Sequence, residues 1–333
     1  MEFINQSDEQ YEIVECFKNI ENSSFQDLTF DEKIDLLKSA LRKNTDEKKI
    51  KETLIFFSNI ITNLITKSLE SINNKIREFG LLLTLTCYQE AKFLFEPYLT
   101  ILLPKLLDSF NDKHRDVMNL SVDVLSKIFE NINPYLSLEL LELFKERITD
   151  LSWKSSLGCM KLISILTDVA PKQIDFLLPE LIPLITAQAA SSKKEVKEQS
   201  TETLNKCCTR ISNPDVIPLI PKLVLANKDP KETPMAIEAL METTFVNQVE
   251  RSTLAVIVPI LNKGLKDRTS KLRRKCCVVI DNMCKLVNDS RDVKPFEGEL
   301  LPFIIRERDD ASQPEVREMA AKAVETLEKA LKM

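Results

Sequence analysis

Apolar and small residues recur along this chain at spacings of 4, 3, 1, 3 and 4, the trace of one stripe on a helix of 3.6 residues per turn. The stripe occurs at Ile76, Gly80, Leu83, Thr84, Cys87 and Ala91, and again at Val117, Ser121, Val124, Leu125, Ile128 and Ile132. It returns at Ser155, Cys159, Leu162, Ile163, Leu166 and Ala170, and at Val196, Ser200, Thr203, Leu204, Cys207 and Ile211. The last two copies are Leu272, Cys276, Val279, Ile280, Met283, Val287 and Val316, Ala320, Ala323, Val324, Leu327, Leu331. Their starts lie 41, 38, 41, 76 and 44 residues apart, so a unit near Pro234 skips the pattern.

Prolines keep the same beat. Pro104, Pro179, Pro221, Pro259 and Pro302 follow paired apolar residues and are 75, 42, 38 and 43 residues apart. A proline removes a helical hydrogen bond, so its recurrence marks an early turn or a regular bend in a first helix that precedes the striped one. The second position of every stripe is Gly, Ser, Cys or Ala, small enough for a neighbouring helix to approach closely. The pattern predicts an all-α fold, a HEAT-repeat superhelical solenoid of stacked antiparallel helix pairs. Residues 1–92 are read as atypical capping helices and first units, with helices around Tyr11–Phe17, over 31–43 and over 46–66; residues 93–333 are read as regular units of the same continuous array. The segment IEALMETTFVNQV, residues 237–249, breaks the spacing and predicts a local change of curvature.

Composition agrees with helices: 4 glycines and 6% aromatic residues disfavour strands and hairpins, and 29% charged residues coat a soluble surface. Cys87, Cys159, Cys207 and Cys276 fall on the stripes and read as reduced core thiols. In the adjacent pairs Cys207-Cys208 and Cys276-Cys277 one member is expected to pack in the core, because sequential helical residues point about 100° apart. No leader peptide and no apolar run long enough to span a bilayer is evident, so the expected location is cytoplasmic, with no membrane partner.

Gly80, Gly158, Gly264 and Gly298 stand too far apart for a phosphate-cradling loop, and His114 is the single histidine. The chain therefore reads as a non-enzyme without cofactor, metal or small-molecule substrate, acting as a monomer through macromolecular contacts. A net charge of −5 argues against general affinity for nucleic acid. Basic residues nevertheless gather at the turn between the helices of a unit: Lys113, His114, Arg115; Lys193, Lys194, Lys197; Lys228, Lys231; and Lys271, Arg273, Arg274, Lys275. The window 266–275 holds six positive charges and one negative. Cations at a helix N-terminus oppose the macrodipole, whereas an anion there is stabilised by dipole and side chains together. The alternative is structural: Asp108, Asp112, Asp229 and Asp267 are placed to bond such cations from repeat to repeat. His114 reads as solvated or phosphate-facing. Trp153, beside Lys154 at a turn, reads equally as a contact or as a half-buried cap.

Residues 178–204, with LPELIPLI and KKEVKEQSTETL, resemble the N-terminal HEAT region of fungal-type translation elongation factor 3. So do TTFVNQVERSTLAVIVPILNKGLKDR (243–268), KLRRKCCVVIDNMCKLVND (271–289) and FEGELLP (296–302). The likeness is specific over about residues 150–305 and weaker before. It implies binding to the ribosome, to ribosomal RNA and proteins, with Lys193, Lys194, Lys197, Lys271, Arg273, Arg274 and Lys275 as contacts. In that family two ATP-binding cassettes follow the HEAT region and the whole protein helps release deacylated transfer RNA. This chain stops after the sixth stripe, so the ATP-driven step is not carried over, whether it is a fragment or a reduced stand-alone relative. The competing reading is a cytoplasmic protein-interaction scaffold, such as a tubulin-binding or adaptor-type HEAT array.

Overall fold

The computed structural model describes residues 61–150 and 152–333, and these are helical with no strand among them. The predicted N-terminal helices at 11–17, 31–43 and the start of 46–66 lie outside the described residues, while residues 61–69 are helical. The chain divides into two compact units, Met1–Leu136 and Ser137–Met333.

In the first unit, α1 (Asn74–Ala91) and α3 (Arg115–Phe129) carry the first two stripes, and α2 (Glu96–Asp108) bears Pro104. The striped helices α1 and α3 pack on each other. In the second unit, first helices are α4 (Leu141–Thr149), α6 (Pro171–Gln188), α8 (Ile220–Lys228), α10 (Arg251–Leu265) and α12 (Glu297–Asp310). Each is followed by its second helix: α5 (Trp153–Val169), α7 (Lys194–Cys208), α9 (Thr233–Glu242), α11 (Ser270–Cys284) and α13 (Pro314–Ala330). Within each pair the helices touch, and α5 packs on α7, α9 on α11, and α11 on α13.

Every stripe position is buried except Ile76 and Leu331, which are half-buried. At about 1.5–3 kcal/mol for each large apolar side chain, this seam is the main source of cohesion. The small second position does what its size suggests. Ser200 lies against the first helix of its own pair and donates to the Ile185 carbonyl at 2.6 Å. Cys276 faces Gly264 of α10 so closely that a Cβ at Gly264 would stand 2.5 Å from its Sγ and 2.4 Å from Ile237 Cδ1. Both members of each cysteine pair are fully buried, which corrects the expectation of one. Cys207 and Cys276 fill the stripe, and Cys208 and Cys277 fill the flank packed against the adjoining helices.

The unit that skips the pattern has a physical reason. Its second helix α9 ends at Glu242, and residues 243–250 run as an irregular segment rather than a helix. Asp215 secures that segment, its carboxylate accepting from the Val246 N–H at 2.8 Å, the Asn247 N–H at 2.9 Å and the Asn247 amide at 2.8 Å. Asn213 donates to the Gln248 carbonyl, and the Val249 N–H reaches the Leu286 carbonyl at 3.0 Å. On the other layer α6 packs directly and extensively on α10, so the short α8 is displaced from the row of first helices.

Candidate functional site

Four of the turns that lead into the striped helices share one construction. A side-chain oxygen five residues before the stripe accepts the backbone N–H two residues on: Ser71 from Asn73, Asp112 from His114, Ser191 from Lys193, and Asp267 from Thr269. This local bond fixes the chain's entry into the helix. It also sets the next residues at the exposed N-terminal end.

One position into the stripe stands a second device. Arg77 donates to the Ser71 and Ile72 carbonyls of its own turn and, in a bidentate pair at 2.6 and 2.9 Å, to Asp112 of the next turn. Arg273 repeats it in the other unit, donating to the Asp267 and Arg268 carbonyls and to Glu307 at 2.8 Å. Arg317 bonds the Ala311 and Ser312 carbonyls in the same manner. These arginines are turn clamps. The Asp112 carboxyl is held below its ordinary value by the Arg77 guanidinium and the His114 N–H against the opposing effect of burial.

Against this frame the basic candidates separate. In the first unit Lys113, His114 and Arg115 are all exposed; His114 is the N-cap of α3, and neither Lys113 nor Arg115 forms an ion pair with another described residue. In the second unit Lys193, Lys194 and Lys197 are exposed at the start of α7. Lys194 reaches Glu198 at 3.6 Å, both well exposed, a contact worth little in water. Lys193 lies with its ammonium 5.7 Å from the ring centre of Trp153, the half-buried first residue of α5. Lys228 ends α8 and is half-buried, and Lys231 is exposed in the turn before α9.

The cluster at α11 divides. Lys271 is exposed and without an ion-pair partner among the described residues, beside a hollow lined also by Pro234, Glu238 and Thr269. Arg273 is committed to Glu307, Lys275 is paired with Glu238, and Arg274 is half-buried with its Nε unbonded. Helical phase explains the split: Arg273 sits about 60° from Cys276 and Lys275 about 60° from Leu272, so both stems lean over the packed side, whereas Lys271 is about 140° from Cys276. Lys266 and Arg268, outside the helix, are more exposed than the three residues at 273–275. The first turn of α11 contains no acidic residue, so its N-terminal N–H groups and Lys271 present one field of positive potential. No group of metal-ligating side chains occurs among the described residues, and none of their helices is long and apolar enough to cross a membrane.

Comparison with known proteins follows the same chain regions. The family model described as EF3 N-terminal HEAT repeat matches residues 38–204, and the one described as Elongation factor 3/GNC1 HEAT repeat matches residues 232–333. Elongation factor 3B of Saccharomyces cerevisiae is 37% identical over 233 residues, covering 70% of this chain and 22% of that protein. Elongation factor 3 of Mycosarcoma maydis is 32% identical over 295 residues, 87% of this chain and 28% of that one. The match thus spans 22% and 28% of the length of these relatives. Among solved structures, the karyopherin Kap121p is similar at a TM-score of 0.43 and 13% identity, over 90% of this chain and 33% of that one.

Proposed function

Because the chain belongs to the elongation factor 3 N-terminal HEAT-repeat family, we propose that it docks on the ribosome during translation elongation, touching ribosomal RNA and proteins by binding rather than by catalysis. Its place is the cytoplasm, and any ATP-driven step belongs to cassettes of the kind that the family carries beyond its HEAT region.

The observation that supports this reading is the set of turn cations left without an ion-pair partner among the described residues of an acidic chain. In the second unit these are Lys193, Lys197 and Lys271, each at or within the first turns of a second helix. In the first unit they are Lys113 and Arg115. The turn clamps need Arg273 and the ion pair with Glu238 needs Lys275, whereas no ion pair among the described residues uses these five. Phosphate is the anion that suits them, since it accepts from backbone N–H groups and ammonium together.

Co-sedimentation of the protein with ribosomes across a salt series tests the reading. The triple variant Lys193→Glu, Lys197→Glu, Lys271→Glu is the control, because these substitutions leave every internal ion pair in place. Three phosphate contacts give a log–log salt slope of about −2 to −3. Salt-sensitive binding that the variant loses is the expected result. Absence of co-sedimentation even at low salt favours the protein-scaffold reading instead.

A further inference from the structure

Trp153 stands where the repeat does not ask for a ring. The first residue of the other striped helices, two positions before the stripe, is Asn74, Arg115, Lys194, Ser270 or Pro314. Trp153 opens α5 at that same position and is the single tryptophan of the chain. None of its counterparts is aromatic, so the start of a striped helix needs no ring for its packing. The indole is half-buried, and its N–H has no hydrogen-bond partner among the described residues and is open to solvent. A ring that served as a buried cap would have that donor on an acceptor.

The ring meets a cation that little else holds. Lys193, one repeat on, has its ammonium 5.7 Å from the ring centre and forms no ion pair with a described residue. Lys154, next in sequence to the ring, and Lys197, one turn beyond Lys193 on the same side of α7, are likewise without an ion pair among the described residues. Carboxylates stand nearby as well: Glu195 lies about 160° around the helix from Lys193, and Glu198 is engaged by Lys194. Charge alone therefore does not choose an occupant; the ring beside the cation does. A nucleotide with an unpaired base offers a flat face to the indole and a phosphate to the ammonium in one unit, whereas the bases of a duplex stack on each other and leave mainly phosphates and ribose to be met. An exposed cation–π contact is weaker than the stacking of a base on an aromatic ring. The base thus takes the place of the ammonium over the indole, and Lys193 turns to the phosphate.

We propose that Trp153 and Lys193 form a stacking site for an unpaired RNA nucleotide at the edge between α5 and α7. This rests on the ribosome-docking reading and narrows its RNA target to single-stranded segments. The fluorescence of the sole tryptophan reports the site directly. The whole chain is titrated at low salt with an oligouridylate of about twelve nucleotides and with an RNA duplex of the same length. Saturable quenching by the single strand, with the duplex bound about tenfold more weakly, is the expected result. Anisotropy of the labelled single strand should show about tenfold lower affinity for Trp153→Leu, and affinity largely kept in Trp153→Phe, which retains a stacking face. Circular dichroism checks that both variants stay helical, and the wild-type titration needs no variant at all. Equal affinity for single strand and duplex, absence of quenching, or undiminished binding by Trp153→Leu overturns the proposal. Quenching by ribosomal proteins freed of RNA, with none by the oligonucleotide, also overturns it and assigns the ring to a protein partner. Co-sedimentation checks the premise separately. Ribosome binding without quenching by the oligonucleotide leaves docking standing and removes the stacking site; quenching without ribosome binding does the reverse.

Discussion

Arg273 and Lys271 are two residues apart in one basic run, yet the structure gives them opposite physical roles, and truncating each to alanine should separate them. Arg273→Ala removes three charge-assisted hydrogen bonds, to the Asp267 and Arg268 carbonyls and to Glu307. The partner is the larger part of the loss, because the Glu307 side chain is only 6% exposed and that of Arg273 19%. Stranding a buried carboxylate costs about 3–5 kcal/mol. Arg306, 3.6 Å from the other Glu307 oxygen, offsets a fraction, so a loss of about 3 kcal/mol is expected for Arg273→Ala. Lys271→Ala should change stability by no more than about 0.5 kcal/mol. Urea unfolding followed by circular dichroism measures both, and a cycle with Glu307→Gln isolates the pair, for which a coupling of about 2 kcal/mol is expected. Equal stability of the two alanine variants, or a coupling below about 0.5 kcal/mol, would refute the clamp assignment.

Gly264→Ala should destabilise by about 1–3 kcal/mol despite the helix preference of alanine, since the new methyl meets Ile237 and the buried Cys276; thermal unfolding reads the change. Burial pushes the thiols of Cys159 and Cys207 up to about 12, so a thiol reagent at mildly alkaline pH should leave them unlabelled in the native protein and label them in urea, as peptide mapping would read. The Asp215 carboxyl is held below its ordinary value, first by the Asn247 N–H and then by the Val246 N–H. Its stabilising effect on the 243–250 segment is therefore present above about pH 4 and lost as pH falls through the depressed folded-state value. The stability gap between the wild type and Asp215→Asn should narrow in that direction, and a gap independent of pH would contradict the anchoring role.

Periodicity alone determined the helix pairs, the buried stripe and the small residue at its second position, because each of these is a property of one helix's own geometry. Leu272, Cys276, Val279, Ile280, Met283 and Val287 could be placed in the core before any neighbour was known, and all are buried. The resemblance carried by residues 178–302 likewise lay in the sequence, and it fixed the family. What the sequence left open was the meaning of each charge. Arg273 finds Glu307 and Lys275 finds Glu238 across separations of 34 and 37 residues, while Lys271 finds no such carboxylate. Helical phase tells which stems lean over the packed side, but the carboxylate that each one meets depends on what the next repeat brings alongside. The skipped unit shows the same division: the broken spacing at 237–249 was legible, but the anchoring of the irregular segment by Asp215, some 31 residues earlier, and the direct packing of α6 on α10 were not. Local pattern sets the helices; packing between repeats decides which of their charges and apolar faces stay free to meet a partner.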